Sequence, residues 1–120
     1  MHERISVLTR DGKKIVLVDV SDCSAREVET IAREVPEHVT QRPRGSVLLL
    51  TDFTGASIDQ EALIAIKETA VFDKPYIKKT AWVGAEHFPS AFFEDLRKFS
   101  RREFPSFKTR DDALTWLAKD

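Results

Sequence analysis

The chain has 120 residues, of which 42% are apolar and 32% are charged, a composition typical of a single globular domain. Its 19 basic and 20 acidic residues give a net charge of −1, which excludes the overall positive field of a dedicated nucleic-acid binder. Cys23 is the only cysteine, so an intrachain disulfide and a zinc site built from cysteines are also excluded. We expect one domain of residues 1–120, located in the cytoplasm and without a resident cofactor.

Two β-rich segments open the chain, at residues 5–9 and 15–20. The dipeptide Asp11-Gly12 stands between them and is typical of a type I′ turn, because both central residues of that turn need a positive φ. The pattern predicts that the first two strands form an antiparallel hairpin.

The first helix is predicted to begin after Ser24, because Ser24 and Glu27 have the spacing of a capping box. The apolar residues that follow share one helical face, which consists of Val28, Ile31, Ala32, Val35 and Val39. Pro36 falls within that face. Since proline lacks an amide donor and crowds the preceding turn, we expect it to kink the helix or to divide it.

The fold is organised around residues 47–50, Val-Leu-Leu-Leu, which lead into the polar sequence TDFTG. An uninterrupted apolar run predicts a strand buried on both faces, in the middle of a sheet, because a half-exposed strand would alternate. A second helix is predicted with Asp59 as its N-cap. Its inward face is predicted to consist of Ala62, Leu63, Ile66 and Ala70. The loop from Asp52 to Ser57 then lies at the carboxyl end of a central strand, where open α/β sheets tend to bind ligands.

The rest of the chain repeats the sequence of strand, turn and helix. Residues 74–76 interrupt the second helix, residues 80–84 predict a buried strand, and a third helix begins at Pro89 or Ser90. Residues 106–108 predict a short last strand before a fourth helix capped by Thr109. The predicted fold class is α/β. It has a five-stranded mixed sheet in the order ββαβαβαβα, with an antiparallel first hairpin and parallel strands after it.

Three segments resemble the SpoIIAA-like family, whose relatives are the STAS domains of anti-sigma-factor antagonists and sulfate transporters. The segments are residues 46–55 (SVLLLTDFTG), 73–79 (DKPYIKK) and 107–117 (FKTRDDALTWL). The resemblance runs over nearly the whole chain and implies a sheet wound with helices, in small bacterial cytosolic proteins mostly of unassigned activity. Some members look like CRAL-TRIO lipid-carrying domains in fold, which implies an apolar ligand as one alternative.

The sequence departs from its relatives at the loop that is phosphorylated in STAS antagonists. There the loop ends in Asp-Ser-Ser-Gly at the start of the second helix, whereas this chain has Asp59-Gln60-Glu61-Ala62. Gln60 and Glu61 cannot accept a phosphoryl group, so the resemblance does not extend to a kinase-controlled switch. Ser57 is the nearest substitute acceptor, although a short polar residue before a helix is usually a turn or cap residue.

We expect recognition at the polar loop and at the segment that joins the fourth strand to the third helix. The residues predicted to bind a ligand or partner are Asp52, Thr54, Ser57, Asp59, His87, Phe88 and Phe92. The leading hypothesis is a non-catalytic binding or regulatory module for an apolar or amphipathic small ligand or for a protein partner. The alternative is a small enzyme in which Asp52, Ser57 and His87 act together at the carboxyl edge of the sheet.

The remaining motifs have simpler structural explanations. Five acidic residues near the carboxyl edge could bind a divalent ion: Asp19, Asp22, Asp52, Asp59 and Glu86. Three of them precede or flank helix starts, so helix capping is the better explanation. Cys23 is expected to be a buried thiol. The basic segment 97–102 is expected to be a solvated helix face, so we expect no nucleic-acid partner and at most a peripheral membrane contact.

Aromatic residues crowd the third helix. Phe88, Phe92, Phe93 and Phe99 are more than one core stripe needs. Core packing is the first explanation. The surplus is also consistent with an apolar pocket between this helix and the sheet, or with a homodimer contact.

Overall fold

The computed structural model describes residues 4–101 and 103–119, except for the side chains of residues 99 and 100. The elements are β1 (Ile5–Arg10), β2 (Lys13–Asp19), α1 (Ala25–Val39), β3 (Val47–Asp52), α2 (Gln60–Asp73), a 3₁₀ turn (Lys74–Tyr76), β4 (Ile77–Val83), α3 (Ser90–Ser100), β5 (Ser106–Phe107) and α4 (Arg110–Ala118). This order is the one predicted from the sequence.

The five strands form one mixed sheet in the spatial order β1-β2-β3-β4-β5. β1 and β2 are antiparallel, and each later pair of neighbours is parallel. The turn between β1 and β2 has φ values of 53° at Asp11 and 78° at Gly12, as the predicted hairpin requires. β3 is the central strand, so the prediction for residues 47–50 is confirmed.

Helices cover the two faces of the sheet unequally. Residues of α1, α2 and α3 pack with one face in the larger apolar core, whereas α4 packs against the other face. Alternating residues of β3 enter the two cores, with Leu49 in the larger one and Leu48 and Leu50 in the smaller one. This arrangement explains the unbroken apolar run, because both faces of β3 are buried.

The first helix begins at the predicted capping box. The Ser24 hydroxyl accepts from the Glu27 amide at 3.2 Å, and the Glu27 carboxylate accepts from the Ser24 amide at 3.0 Å. The hydrogen bond from the Ser24 amide lowers the pKa of Glu27 below its ordinary value. Pro36 does not divide α1, because the helix continues to Val39 and the Pro36 carbonyl accepts from the Thr40 amide at 3.0 Å.

The inward face of α2 differs from the predicted one. The buried residues are Ala62, Ala65, Ile66 and Asp73, whereas Leu63 and Ala70 are half-buried. α2 packs more extensively against α1 than against α3. Among the described residues, no helix combines the length and apolar character that crossing a bilayer requires.

Candidate functional site

The carboxyl edge of the sheet carries two matching turns, at the ends of β2 and β3. Asp19 and Asp52 are the last residues of these strands and are paired across them. The Asp19 carboxylate accepts from the Ser21 amide at 3.0 Å and from the Ser21 hydroxyl. The Asp52 carboxylate accepts from the Thr54 amide at 2.9 Å and from the Thr54 hydroxyl at 2.6 Å. Both loops are therefore held by side chains that bond to their own backbone.

Arg110, at the start of α4, joins the two turns. Its Nε donates to Asp52 Oδ2 at 2.5 Å, and its Nη2 lies 3.0 Å from Asp19 Oδ1. Burial alone would lower the pKa of Arg110, but the bonds to Asp52 and Asp19 raise it above its ordinary value. Only 4% of Asp52 is exposed, so this cation neutralises a buried carboxylate.

The sequence interpretation missed Arg110 as part of this site. One signal was present, because an arginine in the first turn of a helix opposes the helix dipole and needs a compensating partner. The candidate partners were also visible, because β2 and β3 both end in aspartate. Only the return of α4 across the sheet brings Arg110 and these aspartates together.

We expect acid to weaken the fold in part through Asp19. Burial raises the pKa of Asp19, but hydrogen bonds from Ser21 and Arg110 outweigh burial and hold the pKa below its ordinary value of 3.8. A carboxyl group whose pKa falls on folding stabilises the native state above its unfolded pKa, and this contribution is lost as pH falls through the folded pKa. The unfolding free energies of the wild type and of Asp19→Asn, measured with urea, should therefore differ most near neutral pH. The gap should begin to close below about pH 4 and should close fully only below the folded pKa of Asp19. An equal gap in unfolding free energy near neutral pH and below the folded pKa would contradict this prediction.

The loop of residues 54–59 is exposed but closely supported. Thr54, Ser57 and Asp59 are exposed, as is Gly55, whose φ is 71°. A Cβ at Gly55 would collide with the Asp22 carboxylate. The Ser57 amide donates to the Cys23 carbonyl at 2.9 Å, and the Asp59 carboxylate accepts from the Ala62 amide at 2.8 Å as the predicted N-cap. These contacts fix the loop in one conformation on the surface.

The three residues of the enzyme alternative have separate surroundings. Asp52 is occupied by Arg110 and Thr54, as described above. The His87 ring is exposed and meets the Phe88 ring edge-on, with 5.1 Å between the ring centroids. Among the described residues, no hydrogen bond joins the Ser57 hydroxyl or the His87 ring to Asp52. The bonds of Asp52 to Arg110 and Thr54 hold the fold together, and no catalytic role is needed to explain them.

Phe88 and Phe92 lie in the aromatic core between α3 and the sheet. Both are buried and pack around Trp82, whose ring centroid lies 5.8 Å from Phe88 and 6.2 Å from Phe92. Phe53 completes this cluster with edge-on contacts to Trp82 and Phe88. Phe99, which was also predicted to face inward, lies outside the described side chains. Phe88 and Phe92 are therefore core residues, and the groove of about 280 Å³ beside α3 is lined by more polar than apolar residues, with Phe93 and Phe104 among the apolar ones.

A small, partly open cavity lies under α1 and α2. Its volume is about 50 Å³, and its walls are mostly apolar, with threonines at 51, 69 and 80 and the buried Asp73. Pockets for drug-sized ligands have volumes of roughly 300–1,000 Å³. A cavity of this size has room for a few water molecules and not for a lipid chain.

The described residues contain no group of three or more metal-ligating side chains with suitable geometry. Cys23 is buried, and burial raises the pKa of its thiol above the ordinary value. A raised pKa disfavours the reactive thiolate.

A feature that the sequence interpretation did not anticipate is an apolar stripe on the outward face of α2. We use the name α2 stripe for Ile64, Val71 and Phe72, which are 42%, 40% and 60% exposed. Their spacing of seven and eight residues places them on the same side of the helix. The loop of residues 54–59 leads directly into the first turn of this helix.

Comparison with known proteins supports the fold assignment. No family model matches the chain, and no curated protein sequence matches it. A solved structure from Shewanella loihica, described as an uncharacterised DUF3478-family protein with a SpoIIAA-like fold, is similar with a TM-score of 0.70 and 16% sequence identity. The similarity covers 95% of this chain and 92% of that protein. The chain therefore has a SpoIIAA-like fold, as its resemblance to that family implied.

Proposed function

We propose that this chain is a non-catalytic regulatory module that binds a protein partner through the α2 stripe and the adjoining loop of residues 54–59. The observation that carries the proposal is the exposure of the three apolar side chains of the α2 stripe. Monomeric soluble proteins rarely leave contiguous large apolar patches in water, and such patches usually mark contact sites. Phe72 is the natural anchor because aromatic residues dominate binding energy in protein interfaces.

Ion pairs connect α2 to both neighbouring helices. Arg33 of α1 lies 3.4 Å from the Glu68 carboxylate, and Lys67 lies 3.2 Å from the Asp95 carboxylate of α3. Exposed pairs of this kind add little stability. The packing of α2 against α1 and in the larger core, rather than these pairs, keeps the α2 stripe outward.

Charges around the α2 stripe indicate what kind of partner fits. Exposed acidic residues lie at its amino-terminal end, at Asp59 and Glu61, and in its middle, at Glu68. A complementary surface would be apolar at its centre and basic at its rim, because opposite potentials across an interface favour association. We propose a partner of different sequence, and the crosslinking experiment below distinguishes it from a second copy.

The other sequence-based hypotheses have less support. The apolar-ligand hypothesis stays a prediction, and the cavity of about 50 Å³ under α1 and α2 has too little room for a wholly apolar ligand of drug size. The enzyme hypothesis needs a free carboxylate at position 52, but Asp52 already bonds to Arg110 and Thr54.

Replacing Phe72 by serine tests the proposal. We expect the variant to lose at least about tenfold in affinity for the partner, which corresponds to about 1.4 kcal/mol. Its free energy of unfolding should change by no more than about 0.5 kcal/mol, because the side chain is exposed. A photoreactive amino acid placed at position 72 would first capture the partner in cells. The affinities of the wild type and of Phe72→Ser for that partner would then be measured.

A photoreactive residue at Glu94, an exposed position of α3, is the matched control. A discrete adduct that forms at position 72 and not at position 94 supports the proposal. Identical adducts at both positions, or none at position 72, would refute it. An adduct with twice the mass of the chain would show that the partner is a second copy and would refute a partner of different sequence.

A further inference from the structure

A basic cleft lies at the amino edge of the sheet, at the opposite end of the parallel strands from the loop of residues 54–59. Its volume is about 340 Å³. It lies between the hairpin of β1 and β2, the connection from α1 to β3, and the start of β4. The lining residues are Lys13, Lys14, Val16, Arg42, Pro43, Ser46, Val47, Leu48 and Lys78.

Positive charge reaches this cleft from three separate elements. Lys14 belongs to β2, Arg42 follows α1, and Lys78 belongs to β4. Among the described residues, no aspartate or glutamate lines the cleft. Since the net charge of the chain is −1, this concentration of cations is local. It creates a site that attracts anions.

The Arg42 guanidinium provides a second, independent observation. Its Nε is buried and has no hydrogen-bond partner among the described residues. A buried donor without a partner destabilises the fold, and a charged donor does so more strongly than a neutral one. An anion in the cleft that contacts this guanidinium would offset part of that cost.

Capping of α1 does not explain Arg42. The Pro36 carbonyl already accepts from the Thr40 amide at 3.0 Å and from the Thr40 hydroxyl at 2.8 Å. The Val39 carbonyl accepts from the Arg42 amide at 3.1 Å. The guanidinium is therefore not needed to satisfy these carbonyls at the end of the helix.

The floor of the cleft is apolar. Val16, Val47 and Leu48 line its base but are almost fully buried in the two cores of the sheet, whereas Pro43 is an exposed apolar lining residue. We propose that this cleft binds a small phosphate monoester that also carries an apolar portion. Arg42, Lys14 and Lys78 contact the phosphate, because a guanidinium fork and ammonium groups suit phosphate oxygens. The apolar portion packs against the exposed Pro43, and the volume is within the range of small-molecule sites.

Titration with phenyl phosphate and with inorganic phosphate, followed by ¹⁵N NMR of the full chain, tests the proposal. We expect saturable shifts of the Arg42 Nε signal and of amides in residues 13–16 and 42–48. Phenyl phosphate should bind more tightly than inorganic phosphate because its ring also packs against Pro43. Binding should weaken as salt is added.

Arg42→Gln should weaken phenyl phosphate binding at least about tenfold. Lys78→Gln serves as a second variant in case Arg42→Gln does not fold. The matched control is Arg26→Gln, which removes the same charge from an exposed position of α1. Equal losses in Arg42→Gln and Arg26→Gln, or the absence of saturable shifts with both phosphates and with vesicles, would overturn the proposal.

Vesicles distinguish a soluble phosphate ester from a phospholipid headgroup. Binding to phosphatidylglycerol vesicles and not to phosphatidylcholine vesicles, abolished by Arg42→Gln and without saturable phenyl phosphate binding, would assign the site to a lipid headgroup. Saturable phenyl phosphate binding without vesicle binding would assign it to a soluble ester. This inference is independent of the protein partner, because Phe72→Ser should leave phosphate binding unchanged.

Discussion

Replacing Phe53 by alanine should lower the free energy of unfolding by about 3–5 kcal/mol. Phe53 is 1% exposed, and its ring centroid lies 5.1 Å from that of Trp82 and 4.8 Å from that of Phe88. Removing the ring leaves a cavity behind the loop of residues 54–59 and breaks both aromatic contacts. Urea unfolding followed by circular dichroism would measure the loss.

The control for this variant is Phe72→Ala, which removes the same side chain from an exposed position. Phe72 is 60% exposed, so its replacement should cost less than about 1 kcal/mol. Equal losses for the two variants would contradict the distinction between the aromatic core and the α2 stripe. A large loss confined to Phe53→Ala would support it.

Replacing Arg110 by methionine should destabilise the fold by about 3 kcal/mol. Removing one partner of a buried ion pair typically costs about 3–5 kcal/mol because the other charge stays buried and uncompensated. The lower end of that range applies, because 39% of the Arg110 side chain is exposed and solvent screens part of the interaction. Hydrogen exchange of the Thr54 amide should also be faster in this variant. That amide bonds to Asp52, and Asp52 would no longer be held by Arg110.

A double-mutant cycle with Asp52→Asn isolates the pair. The double variant should recover part of the stability that Arg110→Met loses, because no buried charge is then left without a partner. Arg110→Lys should lie between the wild type and Arg110→Met, since lysine keeps the charge and loses the fork. Strictly additive effects of Arg110→Met and Asp52→Asn would argue that the network contributes nothing to the loop.

The outward face of α2 and the basic cleft illustrate two kinds of information that the sequence lacked. The apolar residues of α2 surround the helix, so their periodicity does not reveal which of them stay in water. Contacts with α1 and α3 decide it, and they leave Ile64, Val71 and Phe72 outside. The cleft is assembled from residues near positions 14, 42 and 78, and no local pattern connects these segments.

The sequence by itself determined the secondary structure and the position of β3, because these depend on short-range rules. The turn at Asp11-Gly12, the capping box at Ser24 and the apolar run at residues 47–50 each act within a few residues. Only the tertiary structure shows that Asp52 pairs with Arg110, since the two residues are 58 positions apart in the chain. It also decided that Phe88 and Phe92 belong to the core and that Pro36 stays within α1. Packing between distant segments determines which side chains lose contact with water, and a single sequence does not contain that information directly.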